Sequence, residues 1–493
     1  MASATDPAGG GSLYAAAPTI YARAVQGYYA RLRWLMVLIT QGVFYGTPWL
    51  VMDGHQAVLF DIASRRFQLF GLALWPQDFI LLTGLLVACA LSLFLFTAVA
   101  GRLWCGFACP QTVYTSLFMW LEQITEGSWT ARRKLDAGHW NLNKWARKSA
   151  KHALWGMLAL WTGISFVGYF TPIRNLVPSL LARQAGGWET FWVLFYGFAT
   201  YGNAGWMREQ VCKYMCPYAR FQGVMMDADT MTVSYDPVRG EPRGGRSRQS
   251  SDHGLGDCID CHLCVQVCPT GIDIRQGLQI ECLNCGLCVD ACNSMMRRQG
   301  SPTGLIRYTS ERLLARAAPS CPGCASNGAP VCGTVACPAP HPLLRRRVLL
   351  YTGLLLVVVS ALGGVLLTRV PVRLDVMRDR AVMERDTPDG SLENVYRLQV
   401  LNMSHHARQF EVHVSGVPGV RLGSGVHRLA VPALSSAQLA VDVDADLDAL
   451  TQSRSLIVLS VQATDDARVQ AYSKTQFFAG LGRQFSSTRS HSP

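Results

Sequence analysis

The chain has 493 residues, a formal net charge of +12, 49% hydrophobic residues and only 16% charged ones. Ordinary soluble proteins carry about 25% charged residues, so the composition argues against a wholly soluble chain and points to membrane spans. The positive balance does not signal nucleic acid, and no such partner is expected, because the Lys and Arg follow a membrane pattern.

Residues 1–30 are rich in Ala, Gly and Ser and show no compact apolar segment of the kind a cleaved signal peptide carries. The first span is therefore expected to stay as an anchor. Five uncharged runs approach the ~20 residues that cross a bilayer as a helix: Trp34–Met52, Phe79–Gly101, Ala153–Ile173, Phe191–Met207 and Val348–Thr368. Buried core helices are the alternative, but five such runs rarely share one soluble chain. Segment 102–152 holds eight basic residues (Arg102, Arg132, Arg133, Lys134, Lys144, Arg147, Lys148 and Lys151), against two in loop 53–78 and two in loop 174–190. This asymmetry puts the N-terminus, 102–152 and 208–347 in the cytoplasm. It puts the short loops and the tail after Thr368 in the periplasm of a bacterial inner membrane. Leu103–Leu121 is also uncharged, but it follows Gly101-Arg102 with almost no turn and carries Pro110, Gln111, Thr112 and Thr115. It reads as a re-entrant or interfacial helix.

That run opens with LWCGFACPQT, and VCKYMCPYARF repeats its C-x-x-x-C-P pattern after the fourth span: Cys105 and Cys109, then Cys212 and Cys216. Two crossings followed by the same motif read as an internal repeat. Four residues of helix advance about 6 Å and return to nearly the same face. Each pair is expected to point one way, and the two pairs to converge on a site of up to four thiols. Thiolates are soft ligands that favour Cu(I), and Met207 and Met215 stand near enough in sequence to add thioether sulfur. The plain alternative is a small buried hydrophobe, which is how Cys89 inside the second span reads. No histidine lies inside the five runs, so a membrane haem is not expected.

Between residues 258 and 292 the spacing C-x2-C-x2-C-x3-C occurs twice: Cys258, Cys261, Cys264, Cys268, then Cys282, Cys285, Cys288, Cys292. In two-cluster ferredoxins the fourth cysteine of each motif ligates the other cluster. One [4Fe–4S] cluster is thus expected on Cys258, Cys261, Cys264 and Cys292, the second on Cys282, Cys285, Cys288 and Cys268. Zinc favours paired C-x-x-C ligands, and disulfides are unexpected on the cytoplasmic side. Pro269 follows the first motif, Asn293 the second, and Gly271 and Gly286 allow tight turns. Tyr235–Asp257 reads as a Gly/Arg/Ser-rich linker. Cys321, Cys324, Cys332 and Cys337 form a further C-x2-C-x7-C-x4-C set, a candidate zinc, copper or cluster site. After the last span, VYRLQVLN, QFEVHVSG, LIVLSVQA and VQAYSKTQFF read as strands of an all-β sandwich of about seven strands, expected to dock a partner membrane protein.

The segments WCGFACPQTVY, CKYMCPYARFQGVM, SYDPVRGEPRG, GDCIDCHLCVQVCPTGIDIRQGLQ and GLIRY resemble the cytochrome c oxidase accessory family called CcoG, FixG or RdxA, strongly over roughly residues 30–310. The resemblance implies a fold of five transmembrane helices, a cytoplasmic two-cluster ferredoxin-type domain and a C-terminal immunoglobulin-like sandwich. The corresponding boundaries are 1–33, a four-span region 34–207, a linker 208–257, the ferredoxin domain 258–310, a Cys-rich linker 311–347, a fifth helix 348–368 and the β domain 371–493. It further implies a role in haem–copper oxidase assembly, with copper as substrate or transient ligand reduced from Cu(II) to Cu(I) at Cys105, Cys109, Cys212 and Cys216. The implied partners are membrane lipid, a copper transporter or oxidase-assembly proteins, and a cytoplasmic electron donor or quinol. The set at Cys321–Cys337 is not part of the family pattern. Two other functions stay open: an electron-transfer subunit of a quinol dehydrogenase, for which the β tail is unexpected, and a non-redox copper chaperone.

Overall fold

The computed structural model describes residues 20–52, 54–245, 254–316, 345–378, 385–387, 390–446, 450 and 452–479. Cys321, Cys324, Cys332 and Cys337 lie outside the described residues. The chain divides into two compact units, Met1–Leu50 with Leu82–Val359, and Val51–Leu81 with Ser360–Pro493.

The main helices are α1 (Tyr28–Gly46), α2 (Phe79–Ala100), α3 (Leu103–Phe107), α4 (Pro110–Glu126), α5 (Leu142–Val167), α6 (Gly187–Thr200), α7 (Pro217–Met225), α8 (Leu287–Gln299) and α9 (Arg346–Leu367). Two of them, α2 and α9, are long and apolar enough to cross a membrane, each with 22 residues and mean hydropathies of 2.7 and 2.3. Nearly the whole circumference of α2 is exposed, so Cys89 on it is exposed rather than buried as its sequence context suggests.

The other apolar runs form helices with shifted limits. The first ends at Gly46, because Pro48 opens a 3-10 turn at Thr47–Trp49 and the chain then leaves as a strand, Val51–Met52. The third begins at Leu142, well inside the basic stretch, where the Asn141 side chain caps it by accepting from the Lys144 amide at 2.7 Å. The fourth starts at Gly187 and continues past Thr200 as π-helical turns, Tyr201–Met207. Helices α5 and α6 pack closely at Gly163, where a Cβ atom would stand 2.3 Å from the Val193 carbonyl oxygen. Phe118, Trp155, Ala159 and Ala204 form the buried apolar cluster beneath.

Beside it lies a buried ion network. Glu126 is fully buried and meets Lys151 at 2.8 Å and Lys148 at 2.9 Å. Glu122 meets Arg208 at 3.0 Å and Arg132 at 3.1 Å. Lys151 also stands 3.9 Å from Glu122, so each carboxylate has at least two cationic partners, the condition under which burying a charge is tolerable.

Segment 208–257, set apart above as a linker, is largely folded: a π-helical turn Val211–Met215, helix α7 and a strand Thr232–Tyr235. That strand pairs antiparallel with Ile306–Thr309 and so clasps the two ends of the cluster-binding segment together. Arg239 reaches Asp257 at 2.6 Å; residues 246–253 lie outside the described residues.

In the second unit, loop 53–78 is not structureless. It folds as a small antiparallel sheet, Val58–Asp61, Arg66–Leu69 and Leu72–Leu74. This sheet packs with the tail: Arg66 Nη1 donates to the Leu434 carbonyl at 2.6 Å, and Arg369 pairs with Asp78 at 2.6 Å. The tail is a two-sheet sandwich. Among the described residues it has seven strands of four residues or more: Val372–Arg378, Ser391–Asn402, Arg408–Ser415, Arg428–Val431, Ser435–Asp446, Arg454–Ala463 and Gln470–Phe478. Their alternating residues, Tyr396, Leu398 and Val400 on one sheet and Ile457, Leu459 and Val461 on the other, meet in a single core.

Candidate iron–sulfur and thiol centres

The two ferredoxin motifs adopt the same backbone. In each C-x-x-C the residue before the second cysteine has positive φ, +56° at Asp260 and +53° at Asn284, and the residue after it does too, +55° at His262 and +73° at Gly286. Asp and Asn are the non-glycine residues that tolerate this left-handed conformation best. Successive turns of this kind aim backbone amides at one point, the geometry used at iron–sulfur sites. Gly271, at φ +69°, provides another such turn. The motifs diverge afterwards. The helix after the first is short, Leu263–Gln266, and stops ahead of Cys268-Pro269, whereas Asn293 permits α8 to run 13 residues.

Two voids result. One is lined by Cys258, Cys261, Cys264 and Cys292. The other is lined by Cys268, Cys282, Cys285 and Cys288, with Cys264 on the wall it shares with the first. Each is walled by its four candidate cysteines, with apolar side chains filling most of the rest of its lining. Two such four-thiol walls suit two [4Fe–4S] clusters. Burial pushes the metal-free thiols up, Cys264 to about 11 and Cys282 and Cys292 to about 12. Fixed cations oppose this, Arg275 beside Cys264 and Arg102 beside Cys282.

The C-x-x-x-C-P motifs also share one conformation, but not the expected one. Cys105 lies in the five-residue α3, and Cys109 is the extended N-cap of α4 with Pro110 at its first position. Cys212 lies in the five-residue turn Val211–Met215, and Cys216 caps α7 ahead of Pro217. A residue before proline is driven out of the helical region, so each pair straddles a helix break instead of lining one face. The two motifs still approach one another. Burial raises Cys105, Cys109 and Cys212, the last to about 11, and each of them also feels the charge of Cys216, while Arg102 opposes the rise in all three. Cys105 Sγ donates to Gln222 Oε1 at 3.2 Å, and the fully buried Gln222 is anchored in turn on Thr97 at 3.3 Å. Among the described residues, no three or more of His, Cys, Asp and Glu stand close enough for a single metal ion.

Both thiol motifs dock on the second void. Gly106, between Cys105 and Cys109, has no room for a side chain: a Cβ would stand 2.6 Å from the Leu283 carbonyl and 3.1 Å from the Cys285 Cα. Asn284 donates to the Ala100 carbonyl at 3.2 Å. Lys213, between Cys212 and Cys216, donates to the Thr270 carbonyl at 3.1 Å. Arg102, 3% exposed, hydrogen-bonds the Ile280 carbonyl and lies near Cys282 as well as the thiol site.

The Nitrogen fixation protein FixG of Rhizobium meliloti is 38% identical over 432 residues, 84% of this chain and 82% of its own length. The Protein RdxA of Cereibacter sphaeroides is 41% identical over 435 residues, 86% and 88%. The chain belongs to the FixG/RdxA family. A profile described as a 4Fe-4S dicluster domain matches residues 207–311. One described as an IG-like fold at the C-terminus of FixG matches 362–480, the β sandwich. A third, a 4Fe-4S binding domain, matches 82–129 and covers Cys105 and Cys109. The methylamine utilization ferredoxin-type protein MauN of Paracoccus denitrificans is 27% identical over 40% of the chain. A crystal structure of a FixG-related protein from Vibrio parahaemolyticus covers 22% of the chain and 98% of its own, at 22% identity and a TM-score of 0.21. This FixG/RdxA family member is therefore an iron–sulfur electron-transfer protein with two 4Fe-4S clusters and a C-terminal immunoglobulin-like domain.

Asp260, Asn284, Gly106 and Gln222 carry no recognised motif in the sequence, and Arg102 stands there only as one of the basic residues of segment 102–152. Aligning the two ferredoxin motifs on each other would have found the first two, which hold the same place. Gly106 and Gln222 carry no signal until the fold brings them to the thiols.

Proposed function

We propose that the protein reduces Cu(II) to Cu(I) for a haem–copper oxidase, with Cys258, Cys261, Cys264 and Cys292 holding one cluster and Cys268, Cys282, Cys285 and Cys288 the other. When bound, the clusters supply one-electron carriers. Cys105, Cys109, Cys212 and Cys216 are the thiols offered to the copper substrate, no more than two of them to one ion in this arrangement, each Cu²⁺ taking one electron to become Cu⁺, the state that soft thiolates favour. Gln222 orients the Cys105 thiol. Arg102 places a fixed positive charge between the thiol site and the Cys282 loop, which steadies thiolate charge on both sides. The observation that carries the reading is the contact at Gly106, where the backbone of the thiol motif rests directly on the Leu283–Cys285 backbone.

The membrane reading accompanies it: five spans, a cytoplasmic cluster domain and a periplasmic β unit. Its support is the charge asymmetry and the membership of loop 53–78 in the same compact unit as the tail, as one side of a membrane requires. Reporter fusions after Gln299 and after Val372 are expected to report opposite sides.

The test of function uses purified protein reduced with dithionite, freed of excess reductant and mixed anaerobically with Cu(II). Cu(I) is read with a chromogenic chelator and the clusters by absorbance. Cys105→Ser with Cys212→Ser is expected to stop Cu(I) formation and keep the cluster spectrum. Full activity in that variant would return the thiols to a packing role.

A further inference from the structure

The two cluster sites differ in what surrounds them. The first reaches the surface: Cys261 is exposed, and so are Asp260 and His262 on either side of it. None of the four thiols of the second is exposed. Three other parts of the chain close over it. Helix α3 rests on Leu283 through Gly106. The Tyr29 ring of α1 stands 2.6 Å from where a Cβ on Gly286 would lie, and Ile20, ahead of α1, stands 2.8 Å from the same place on Gly271. Asp290 ties α1 to this loop by accepting from the Ala30 amide at 2.8 Å.

Enclosure has an electrostatic consequence. A [4Fe–4S] cluster on four thiolates is a net anion, and reduction adds one further negative charge. Water stabilises that charge at an exposed site, whereas burial makes it costly, so an enclosed cluster without compensation has a low reduction potential. The cations differ between the two sites as well. At the first, Arg275 lines the void, but it pairs with Asp273 at 2.7 Å and also with Asp260, so its charge is already met. At the second stand two buried arginines whose hydrogen-bond partners are neutral: Arg33 donates to Ser116 Oγ at 2.7 Å, and Arg102 to the Ile280 carbonyl. Neither pairs with a carboxylate among the described residues. Lys213, which donates to the Thr270 carbonyl at 3.1 Å, adds a third cation on this side.

Arg33 lines one cavity with Pro269, next to Cys268, and with Leu287, next to Cys288. The charges that act on it are those of Cys285 and Cys268, and in the metal-free chain burial outweighs them and lowers its pKa. A guanidinium stays protonated all the same. A loaded site offers this cation more negative charge than two thiols do, and most of all when reduced.

We propose that Arg33 and Arg102 set the potential of the second cluster. Their fixed charge stands in for the water this site has lost and raises its potential. One electron then passes from the first cluster, which is oxidised, to the second, which is reduced, with no atom or proton transferred. The inference rests on the electron-transfer reading above and names the residues that give it a direction.

The experiment is an anaerobic potentiometric titration of the purified, cluster-loaded full chain in detergent, read by EPR, with the iron content of each variant measured beside it. Arg33→Gln is expected to lower one of the two midpoint potentials by about 59 mV, a tenfold loss in the equilibrium constant of a one-electron couple, and to leave the other in place. Arg102→Gln is expected to lower the same one. Arg33→Lys, which keeps the charge, is expected to restore most of the loss. Loss of half the iron in Arg33→Gln but not in Arg33→Lys would show the same need for charge. Equal shifts of both potentials, no shift, shifts of different clusters by the two arginines, or an Arg33→Lys that behaves as Arg33→Gln would overturn the proposal. The titration contains no copper, so its outcome stands or falls apart from the copper reading.

Discussion

The β sandwich buries 20 hydrophobic residues in one cluster among the described residues. The corresponding cluster in the 207–311 domain has nine, and two of these, Cys258 and Cys264, are candidate ligands themselves. One region is stabilised by apolar side chains that meet across two sheets. The other has loops at positive φ wrapped around two thiol-walled voids, with little apolar contact to hold them when the metal is gone. The difference teaches that the same chain contains one region whose fold is its own and one whose fold is completed by its cofactor.

The sharpest way to test this is to remove the iron. Anaerobic chelation is expected to abolish hydrogen-exchange protection over 258–299 while 391–478 keeps its protection. Equal loss in both regions would dissolve the distinction. Next in size, Phe477→Ala in the sandwich core is expected to cost about 3–5 kcal/mol, read as a lower midpoint in urea for the β region with the cluster absorbance unaltered. A change in the absorbance would show that the two regions do not stand independently. A smaller effect is expected at the seam between thiol motif and cluster loop. Gly106→Ala forces a Cβ against the Leu283 carbonyl, which costs about 1–3 kcal/mol. The cluster spectrum should survive while the rate of Cu(I) formation falls; an unchanged rate would remove the seam from the electron path.

The smallest effect is one of pH. Arg275 hydrogen-bonds Asp273 at 2.7 Å and also binds Asp260, and holds the Asp273 carboxyl below the usual carboxylate range. A depressed carboxyl contributes stability that is fully present above its unfolded value, about 3.9, and is lost as pH falls through the folded value. Melting of the cluster domain between pH 5 and pH 3 is expected to show this decline in the parent chain and a flatter one in Asp273→Asn. The sandwich should not follow it.

Legibility in the sequence tracked the range of the forces involved. The run at 395–402 is legible because alternation of buried and exposed residues is local, although the strand itself begins earlier, at Ser391. The eight ferredoxin cysteines were visible because their spacing is a property of the chain alone. The C-x-x-x-C-P pairs were read on a helical period that Pro110 and Pro217 interrupt, and that proline was part of the motif from the start. The sheet at Val58–Leu74 was missed because strands of three and four residues carry too little pattern. The ion network could have been suspected: Glu122 and Glu126 stand four apart on α4, and Lys148 and Lys151 three apart on α5. Their meeting, like that of Gly106 with Leu283, depends on tertiary packing that no local window contains.

The bond from Arg66 to the Leu434 carbonyl joins positions 368 residues apart. At a synthesis rate of about 5–20 residues per second, roughly 20–70 seconds separate the two ends of that contact. The small sheet at Val58–Leu74 thus leaves the ribosome long before its partner exists, with strand edges open to other chains. Completion of the β unit is a late event in the biogenesis of this protein, set by the arrival of the tail and slow by reason of contact order rather than of strand chemistry.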